Sequence, residues 1–500
     1  MYFSHAQKYK FVYSKMATYD YDIVIIGAGP AGLALAHACS HMKKKILIVD
    51  RENEIGGCHR VKRVKNNMFT EHGPRIYLSS FLNFFNLIYE MGLKVDDVFV
   101  KYKYDLFNVI TTKVLPSFTM WEIVVFSCSF MLYLLNNNYG NDISLKEYAN
   151  KYGFSHKAQD ILDRMCRFID GGSIETYSLN KILRTQDAMF MVDVYQPKTP
   201  LDTSLFPVWK QYLQGRKVDF ALGANVSYIH KSTHDNKIQY IVLDNKKTIY
   251  LNDLVLAVPP TAMVNILRNS NCPNCFANID TLTEWSEKTK YIEYISITYH
   301  FREKLQLPTI NGLTLDSDWG IVVINLSDYM DGIEEGYNTV LSTAISKCDV
   351  VSQNIMKTAN ECSEEELYAE VFRQVKKSIY PDLQQVEYTA IMNPNIYYDT
   401  KKNKWTNVDE AYFNAVRTPN LAFNSKEVHN IYNAGTHNGY AYISYTTIET
   451  AVSNALVLSG LMFPELRWKY SLHRSIRSSD VMALILILIV IISIICFSLS

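Results

Sequence analysis

The sequence predicts an α/β chain built on a doubly wound parallel sheet. Three observations predict it. A β-branched apolar run, Tyr21-Asp22-Ile23-Val24-Ile25-Ile26, passes directly into the glycine turn Gly27-Ala28-Gly29-Pro30-Ala31-Gly32 and a helix start. A second apolar run, Lys45-Ile46-Leu47-Ile48-Val49, ends in Asp50, roughly 20 residues beyond the turn, which is the spacing of a βαβ unit that grips a dinucleotide. Strand patterns of the same character return far down the chain, at 238–243, 253–258 and 431–434, so the sheet is expected to be assembled from separated segments.

Each part of the first motif has a physical job. Gly27 permits the tight turn out of the strand, Gly29 lets backbone approach a pyrophosphate, and Gly32 lets the helix pack closely on the strand. The helix N-terminus, opening at Pro30 and Ala31, offers unpaired N–H groups and a partial positive charge to phosphate. Asp50 is placed to accept hydrogen bonds from a ribose hydroxyl.

The residues after Asp50 choose between dinucleotides. They read Arg51-Glu52-Asn53-Glu54-Ile55-Gly56-Gly57-Cys58-His59-Arg60. This resembles the acid and Gly-Gly element of the flavin-containing amine oxidase and protoporphyrinogen oxidase superfamily. Cys58 stands where a basic residue often follows the glycines, and His59 or Arg60 is the substitute. Three further segments resemble the same family. Thr70-Glu71-His72-Gly73-Pro74-Arg75-Ile76 is similar to the segment that passes the flavin ring. Ala224-Asn225-Val226, with 238–243 and Asp253 to Pro260, is similar to the central strands that meet the adenine. Tyr432-Asn433-Ala434-Gly435-Thr436, leading to Ile448-Glu449-Thr450-Ala451, is similar to the element at the flavin's N1–C2=O end.

The resemblance implies non-covalent FAD, since no cysteine lies between Met392 and Thr436, where some relatives carry the covalent link. It implies cofactor contacts from Gly27, Gly29, Pro30, Ala31, Gly32, Asp50 and Arg51 at the nucleotide end. Gly56, Gly57, Cys58 and His59 follow along the pyrophosphate, and Gly73, Pro74, Arg75, Val226, Gly435, Thr436 and Ile443 complete the set. The implied fold is a glutathione-reductase-type, amine oxidase-like Rossmann domain with an inserted α+β substrate domain. Residues 20–95, 215–265 and 425–462 are assigned to the FAD domain, and 96–214 and 266–424 to the substrate domain, after an N-terminal extension over 1–19. In the first insert, 144–152 and 156–168 have helical spacing with Ser144 and Ser155 as N-caps; in the second, 291–301 and 319–326 suit strands flooring a pocket.

Composition sets outer bounds. Five hundred residues with 48% hydrophobic content allow two or three domains around large cores. Lys+Arg and Asp+Glu are both 50, so no global field points to nucleic acid. Nine irregularly placed cysteines suit a reducing compartment. Cys272-Pro273-Asn274-Cys275 lacks a second ligand pair, so no metal site is expected. Val481 to Ser500 carries no charge and is about as long as a bilayer span requires. It reads as a transmembrane tail anchor behind the linker 463–480, whose Arg467, Lys469, Arg474 and Arg477 place the catalytic body on the cytosolic side. A second apolar run, Phe118 to Leu135, interrupted by Glu122, reads as a buried or membrane-resting helix.

The implied activity is an FAD-dependent oxidoreductase that moves a hydride from an amine or lipophilic C–H donor to flavin N5. The membrane anchor favours an apolar small-molecule substrate. Arg75 is the candidate for binding a substrate carboxylate or compensating charge on the flavin, and Tyr440 and Tyr442 are the candidates for an aromatic cage. Two alternatives stand beside it: a non-redox sugar-nucleotide mutase, which shares the Gly-Gly element and a segment like Gly73-Pro74-Arg75-Ile76, and a catalytically silent membrane-anchored flavoprotein.

Overall fold

In the computed structural model the glycine turn lies where a parallel sheet meets its first helix. The structure describes residues 19–499 apart from 65–66, 105–108, 190–191, 292, 308–315, 334, 380–385 and 409–410. The expected N-terminal extension thus lies outside the described residues up to position 18. Strand β1 (Tyr21–Ile26) leads into helix α1 (Pro30–Ser40) and strand β2 (Ile46–Asp50), and α2 (Leu82–Glu90) follows. The sheet is completed by β3 (Val218–Leu222), β4 (Val226–Lys231), β5 (Ile238–Leu243), β6 (Thr248–Leu256) and β7 (Ile431–Asn433). Helix α3 (Ile448–Met462) then covers α1.

The strand order is β3-β2-β1-β6-β5-β4, with β7 also bonded to β6. Pairs β3–β2, β2–β1, β1–β6 and β6–β7 are parallel, whereas β6–β5 and β5–β4 are antiparallel. The nine-residue β6 makes this possible: Ile249 and Tyr250 pair in the antiparallel ladder, while Leu254 to Leu256 pair with β7. Four of the six residues of β1 and four of the five of β2 are buried, as expected for strands covered on both faces. Every residue of α1 except its cap is buried, because the sheet lies on one side and α3 on the other. An all-round apolar helix is the sequence form that suits such a sandwich.

A buried carboxylate ties the late helix to the early one. Glu449, in the first turn of α3, accepts from the backbone N–H of Asn83 at 3.1 Å and its side-chain amide at 2.5 Å. Its second oxygen accepts from the backbone N–H of Phe84 at 2.8 Å. It thereby serves as the missing cap of α2, whose own N-cap, Phe81, has no hydrogen-bonding side chain. Burial pushes this carboxyl up to about 7, against the lowering by Phe84, Asn83 and the Ser453 hydroxyl.

The inserted segments form two bodies. The first contains the helices Met120–Leu135, Leu145–Lys151, His156–Asp170 and Leu179–Ala188. Ser144 and Ser155 cap theirs by accepting from Glu147 N at 3.1 Å and Ala158 N at 3.2 Å. The second is an antiparallel sheet of order Ile321–Asn325, Thr339–Ile345, Ile295–Phe301 and Thr389–Met392. The helix Glu364–Ile379 packs on its outer face through Leu367, Val371 and Val375.

The apolar runs behave differently from a simple membrane span. The helix Met120–Leu135 buries Val125, Ser129 and Tyr133 but exposes Met120, Trp121, Val124, Met131, Leu132 and Leu135. It is therefore only half buried. The C-terminal helix runs Ser478–Leu499, and its stretch Ser478–Ile489 is apolar. Among the described residues no single helix is long and apolar enough to cross a membrane; only the bent pair Ile110–Ser117 and Met120–Leu135, at 101°, passes by length and composition together. The expected span over 481–500 is helical from Ser478 to Leu499.

Replacing Glu449 with Ala strips the acceptor from three buried N–H donors on Asn83 and Phe84. We expect a loss of about 3 kcal/mol in unfolding free energy. Chemical denaturation of the two proteins checks it; an unchanged midpoint would remove Glu449 from the account of α2.

Candidate active site

The turn between β1 and α1 has to be glycine. Gly27 sits at φ +113° and a Cβ there would collide with the Ala257 carbonyl, while a Cβ on Gly32 would strike the carbonyl of Gly27. Gly29 differs: its Cβ would meet only the Gly57 Cα, at 3.6 Å, and otherwise points into open space. That open space is a cavity of about 570 Å³, well within the size range of cofactor sites. No side chain caps α1, so its first N–H groups face the cavity without a local acceptor.

Asp50 lines the same cavity, and its carboxylate already accepts two backbone hydrogen bonds beside the Arg60 guanidinium at 3.9 Å. One oxygen accepts from Ala28 N at 2.7 Å, the other from Glu52 N at 2.9 Å. The acid expected for a ribose hydroxyl therefore also fixes the glycine turn. Each oxygen keeps a further lone pair for a ligand. Gly56 N donates to the Ala28 carbonyl at 2.8 Å, which locks the second glycine element onto the first.

The cavity gathers most of the sequence-predicted residues. Gly27, Gly29, Pro30, Ala31, Asp50, Arg51, Gly57, Cys58, His59, Gly73, Pro74, Arg75, Val226, Gly435 and Thr436 all line it. Gly32 and Gly56 stand behind the wall as packing residues. Ile443 is a correction: its side chain is buried in the core beside α1 and α3 and does not reach the cavity. Tyr440 and Tyr442 are corrections too. Tyr440 is 53% exposed and stacks on Phe423 at 4.8 Å, and Tyr442 is 41% exposed under the guanidinium of Arg477. Neither lines the cavity, because Gly439, at φ +78°, turns this segment outward before it returns at Tyr445.

The far end of the cavity is built by residues that sequence reasoning missed. Tyr294, Tyr412, Tyr445 and Asp170 line it, with Val322 and Ile324 from the antiparallel sheet. Asp170 ends the helix His156–Asp170 and is buried. It accepts from Lys181 Nζ at 2.9 Å, Tyr177 Oη at 2.5 Å and the backbone N–H of Thr446 at 3.1 Å. The Lys181 ammonium also lies 4.0 Å from the Tyr177 ring centroid and 4.8 Å from that of Phe413. Asp170 thereby anchors the 445–448 segment against the inserted helices. Tyr445 was legible as the last tyrosine before Glu449; nothing local marked Asp170.

Arg75 is held firmly. Its guanidinium donates to the Cys58 carbonyl, and its own carbonyl accepts from Gln196 Nε2 at 2.9 Å. Burial pulls its pKa down, but Cys58, Tyr77 and Glu71 outweigh that and keep it charged. The same charge acts on its neighbours. His59 is driven well below its usual range by burial, then by Arg75 and His72. Glu71 is raised by burial, with Arg75 and Ser342 opposing. The far end thus presents a fixed cation beside a neutral imidazole.

His437 lies behind the wall. Its ring nitrogens meet Tyr412 Oη at 2.8 Å and Asn433 Oδ1 at 2.9 Å, and Trp285 packs edge-on at 5.4 Å. Thr436 Oγ1, on the wall itself, is buried without a hydrogen-bond partner among the described residues. An unused hydroxyl, an uncapped helix and an open space over Gly29 together fit a dinucleotide lying from Asp50 toward Tyr445.

Comparison with known proteins agrees with this geometry. Residues 25–90 match the family model of an NAD(P)-binding Rossmann-like domain. Over 88 residues the chain is 32% identical to UDP-galactopyranose mutase of Mycoplasma genitalium, covering 15% of this chain and 22% of that protein. The match therefore spans about a fifth of the curated relative's length. Among solved structures, putrescine oxidase bound to putrescine superimposes with a TM-score of 0.60 at 14% identity, covering 89% of this chain and 99% of that one. Cyclohexylamine oxidase from Brevibacterium oxydans gives 0.58 at 13% identity, covering 90% and 100%. At these identities the likeness is one of fold: a Rossmann-like dinucleotide-binding domain joined to a second domain as in amine oxidases. The fold and the cradle support non-covalent FAD as the cofactor.

Burial holds His437 down to about 3, whereas an unfolded histidine titrates near 6.5. A depressed histidine contributes stability above the unfolded pKa, and that stability is lost as pH falls toward the folded pKa. Between pH 7 and pH 5 the unfolding free energy should drop by about 2 kcal/mol from this residue. Denaturant melts of wild type and His437→Gln at both pH values check it: the variant should show a correspondingly smaller drop.

Proposed function

We propose that the chain is an FAD-dependent oxidoreductase acting on an amine or a lipophilic C–H donor. One observation carries the reading. A single cavity runs from the glycine cradle past Asp50 to a far wall made of Arg75, Tyr294, Tyr412 and Tyr445. When bound, FAD supplies a two-electron acceptor for the C–H bond that the substrate gives up. The protein's part is to bind, orient and dry that site. The first turn of α1 and Gly57 take the pyrophosphate, and Asp50 takes the ribose. The guanidinium of Arg75, fixed by the Cys58 carbonyl, neutralises negative charge at the far end, whether it develops on the cofactor ring or belongs to a substrate carboxylate. Tyr294, Tyr412 and Tyr445 supply aromatic walls that hold a small donor and exclude water. Tyr440 and Tyr442, exposed outside the cavity, have no part in it.

A second reading has its own support. The 32% identity to a UDP-galactopyranose mutase over 88 residues favours a flavin enzyme without net redox turnover. One experiment separates the two. Purified protein should be yellow, and anaerobic addition of an amine or polyene donor should bleach it. Turnover of a sugar nucleotide only after prior reduction would favour the mutase instead, and a flavin that no donor reduces would leave a silent flavoprotein. Gly29→Val should yield colourless protein, because the side chain enters the pyrophosphate space; normal flavin content would overturn the placement of the cradle.

We also propose that the protein sits on a membrane, catalytic body on the cytosolic side, through two apolar elements that converge. Buried Asp187 accepts from Tyr133 Oη of the helix Met120–Leu135 at 3.0 Å and from Ser479 N of the C-terminal helix at 2.7 Å. Both helices are thus tied to the same buried carboxylate, and both expose apolar side chains. Arg477, whose guanidinium donates to the Tyr442 carbonyl, directly precedes the second helix and suits anionic headgroups, while Arg474 is paired with Asp480. Thr185 and Met189, at the end of the helix that carries Asp187, line the cavity, so a lipophilic donor would have a short path from the bilayer. Removing residues 478–500 should weaken sedimentation with phosphatidylserine vesicles, and adding Trp121→Ser and Leu135→Ser should abolish it. Vesicle binding that survives both changes would refute the seat.

A further inference from the structure

Among the described residues one cluster has the composition of a metal site: His37, His41 and Glu90. It lies outside the cavity, at the end of α1 opposite the glycine turn. The spacing His37-x-x-x-His41 puts both imidazoles on one face of the helix, one turn apart. Glu90 closes the group from the last turn of α2. Neither helix needs to move for the three to meet.

The three groups hydrogen-bond through Glu90, and these distances also match the edges of a coordination shell. His37 Nε2 lies 3.2 Å and His41 Nε2 3.1 Å from the same carboxylate oxygen of Glu90. A tetrahedral ion with bonds of about 2.0–2.1 Å has ligand–ligand edges of about 3.3 Å. The three donor atoms all fall within 4.8 Å of one another. Their surroundings are ordered as well. The His37 ring is fully buried and stacks on Tyr212 at 4.5 Å, which fixes its plane. The Tyr470 hydroxyl donates to Glu90 at 2.9 Å, an outer-shell contact that orients the carboxylate.

A cation already occupies this place. Lys469 Nζ lies 3.0 Å from His41 Nε2 and 3.3 Å from the Glu90 carboxylate. Its side chain is 41% exposed and can swing into solvent. The cluster therefore attracts positive charge, and its occupant is replaceable.

We propose that His37, His41 and Glu90 bind a divalent transition ion of the zinc class, with water as the fourth ligand, in competition with the ammonium of Lys469. Two imidazoles and one carboxylate suit zinc and disfavour magnesium or calcium, which want oxygen alone. The ion would staple α1 to α2 and, through Tyr470, to the segment that leads to the C-terminal helix. It has no place in the redox step.

The test uses the full chain with its flavin, stripped by a chelator and titrated calorimetrically with Zn²⁺, in a Cys272→Ser/Cys275→Ser background that removes the buried CxxC pair as a competing ligand. We expect one ion per chain. His41→Ala should weaken binding at least tenfold, and Lys469→Met should tighten it. Excess Mg²⁺ should not compete, and the flavin spectrum should stay constant throughout. Cobalt in place of zinc should give the visible bands of a four-coordinate ion. If His41→Ala does not fold, Glu90→Gln must show the same loss. Absence of binding in both the cysteine-free protein and its Lys469→Met derivative would overturn the proposal, as would binding that His41→Ala and Glu90→Gln leave unchanged.

Discussion

The architecture depends on how closely two stretches of backbone approach at the glycine turn. Gly32 rests on the carbonyl of Gly27, and Gly27 rests on the carbonyl of Ala257, with no room for a Cβ at either place. Asp50 accepts from Ala28 N, and Gly56 N donates to the Ala28 carbonyl, so a residue with no functional side chain becomes the point where β1, β2 and the second glycine pair are fastened together. Backbone polar groups that must be satisfied are here satisfied by the same residues that shape the cradle. At Gly27 and Gly32 cofactor binding and the integrity of the sheet are consequently hard to separate by substitution, whereas at Gly29 a side chain meets mainly the cavity.

The opposite end of the cavity is stabilised by a different device. There the wall comes from segments widely apart in the chain: the end of the helix His156–Asp170, the strand Ile321–Asn325 and the approach to α3. What joins them is Asp170, a buried carboxylate with an ammonium, a phenol and a backbone N–H as partners. A buried ion pair contributes little net stability unless its lone pairs are all used, but it fixes registry well. For the oxidoreductase activity proposed above registry matters, since a donor carbon would have to sit within a few tenths of an ångström of its reacting position.

Charge is distributed along the cavity in a consistent way. The uncapped end of α1 lies at one end and the guanidinium of Arg75 at the other, while the histidines in and behind the wall, His59 and His437, are kept neutral by burial. The positive charge at both ends is therefore fixed, and a group that titrates near neutral pH is the carboxyl of Glu449, next to the wall residue Ile448. The buried histidines carry the cost on acidification instead.

The sequence by itself determined the nucleotide-binding half. Residues 21–32 and 45–57 interact locally, and the need for glycine at Gly27, Gly29 and Gly32 and for an acid at Asp50 follows from backbone geometry that short segments encode. The caps at Ser144 and Ser155 were legible for the same reason. Tertiary structure decided the rest. Tyr440, Tyr442 and Ile443 had a plausible spacing from Glu449, but the left-handed turn at Gly439 sends the tyrosines to the surface and Ile443 to the core, leaving Tyr445 at the wall. Asp170, Tyr294 and Tyr412 reach that wall only because two inserts fold back over the sheet. His37 and His41 meet Glu90 because α2 ends beside α1, a juxtaposition across 49 residues that no local pattern specifies. Contacts within a turn or two are written in the chain's own periodicity, whereas contacts between distant segments are set by the packing of whole elements, which the residues involved do not individually record.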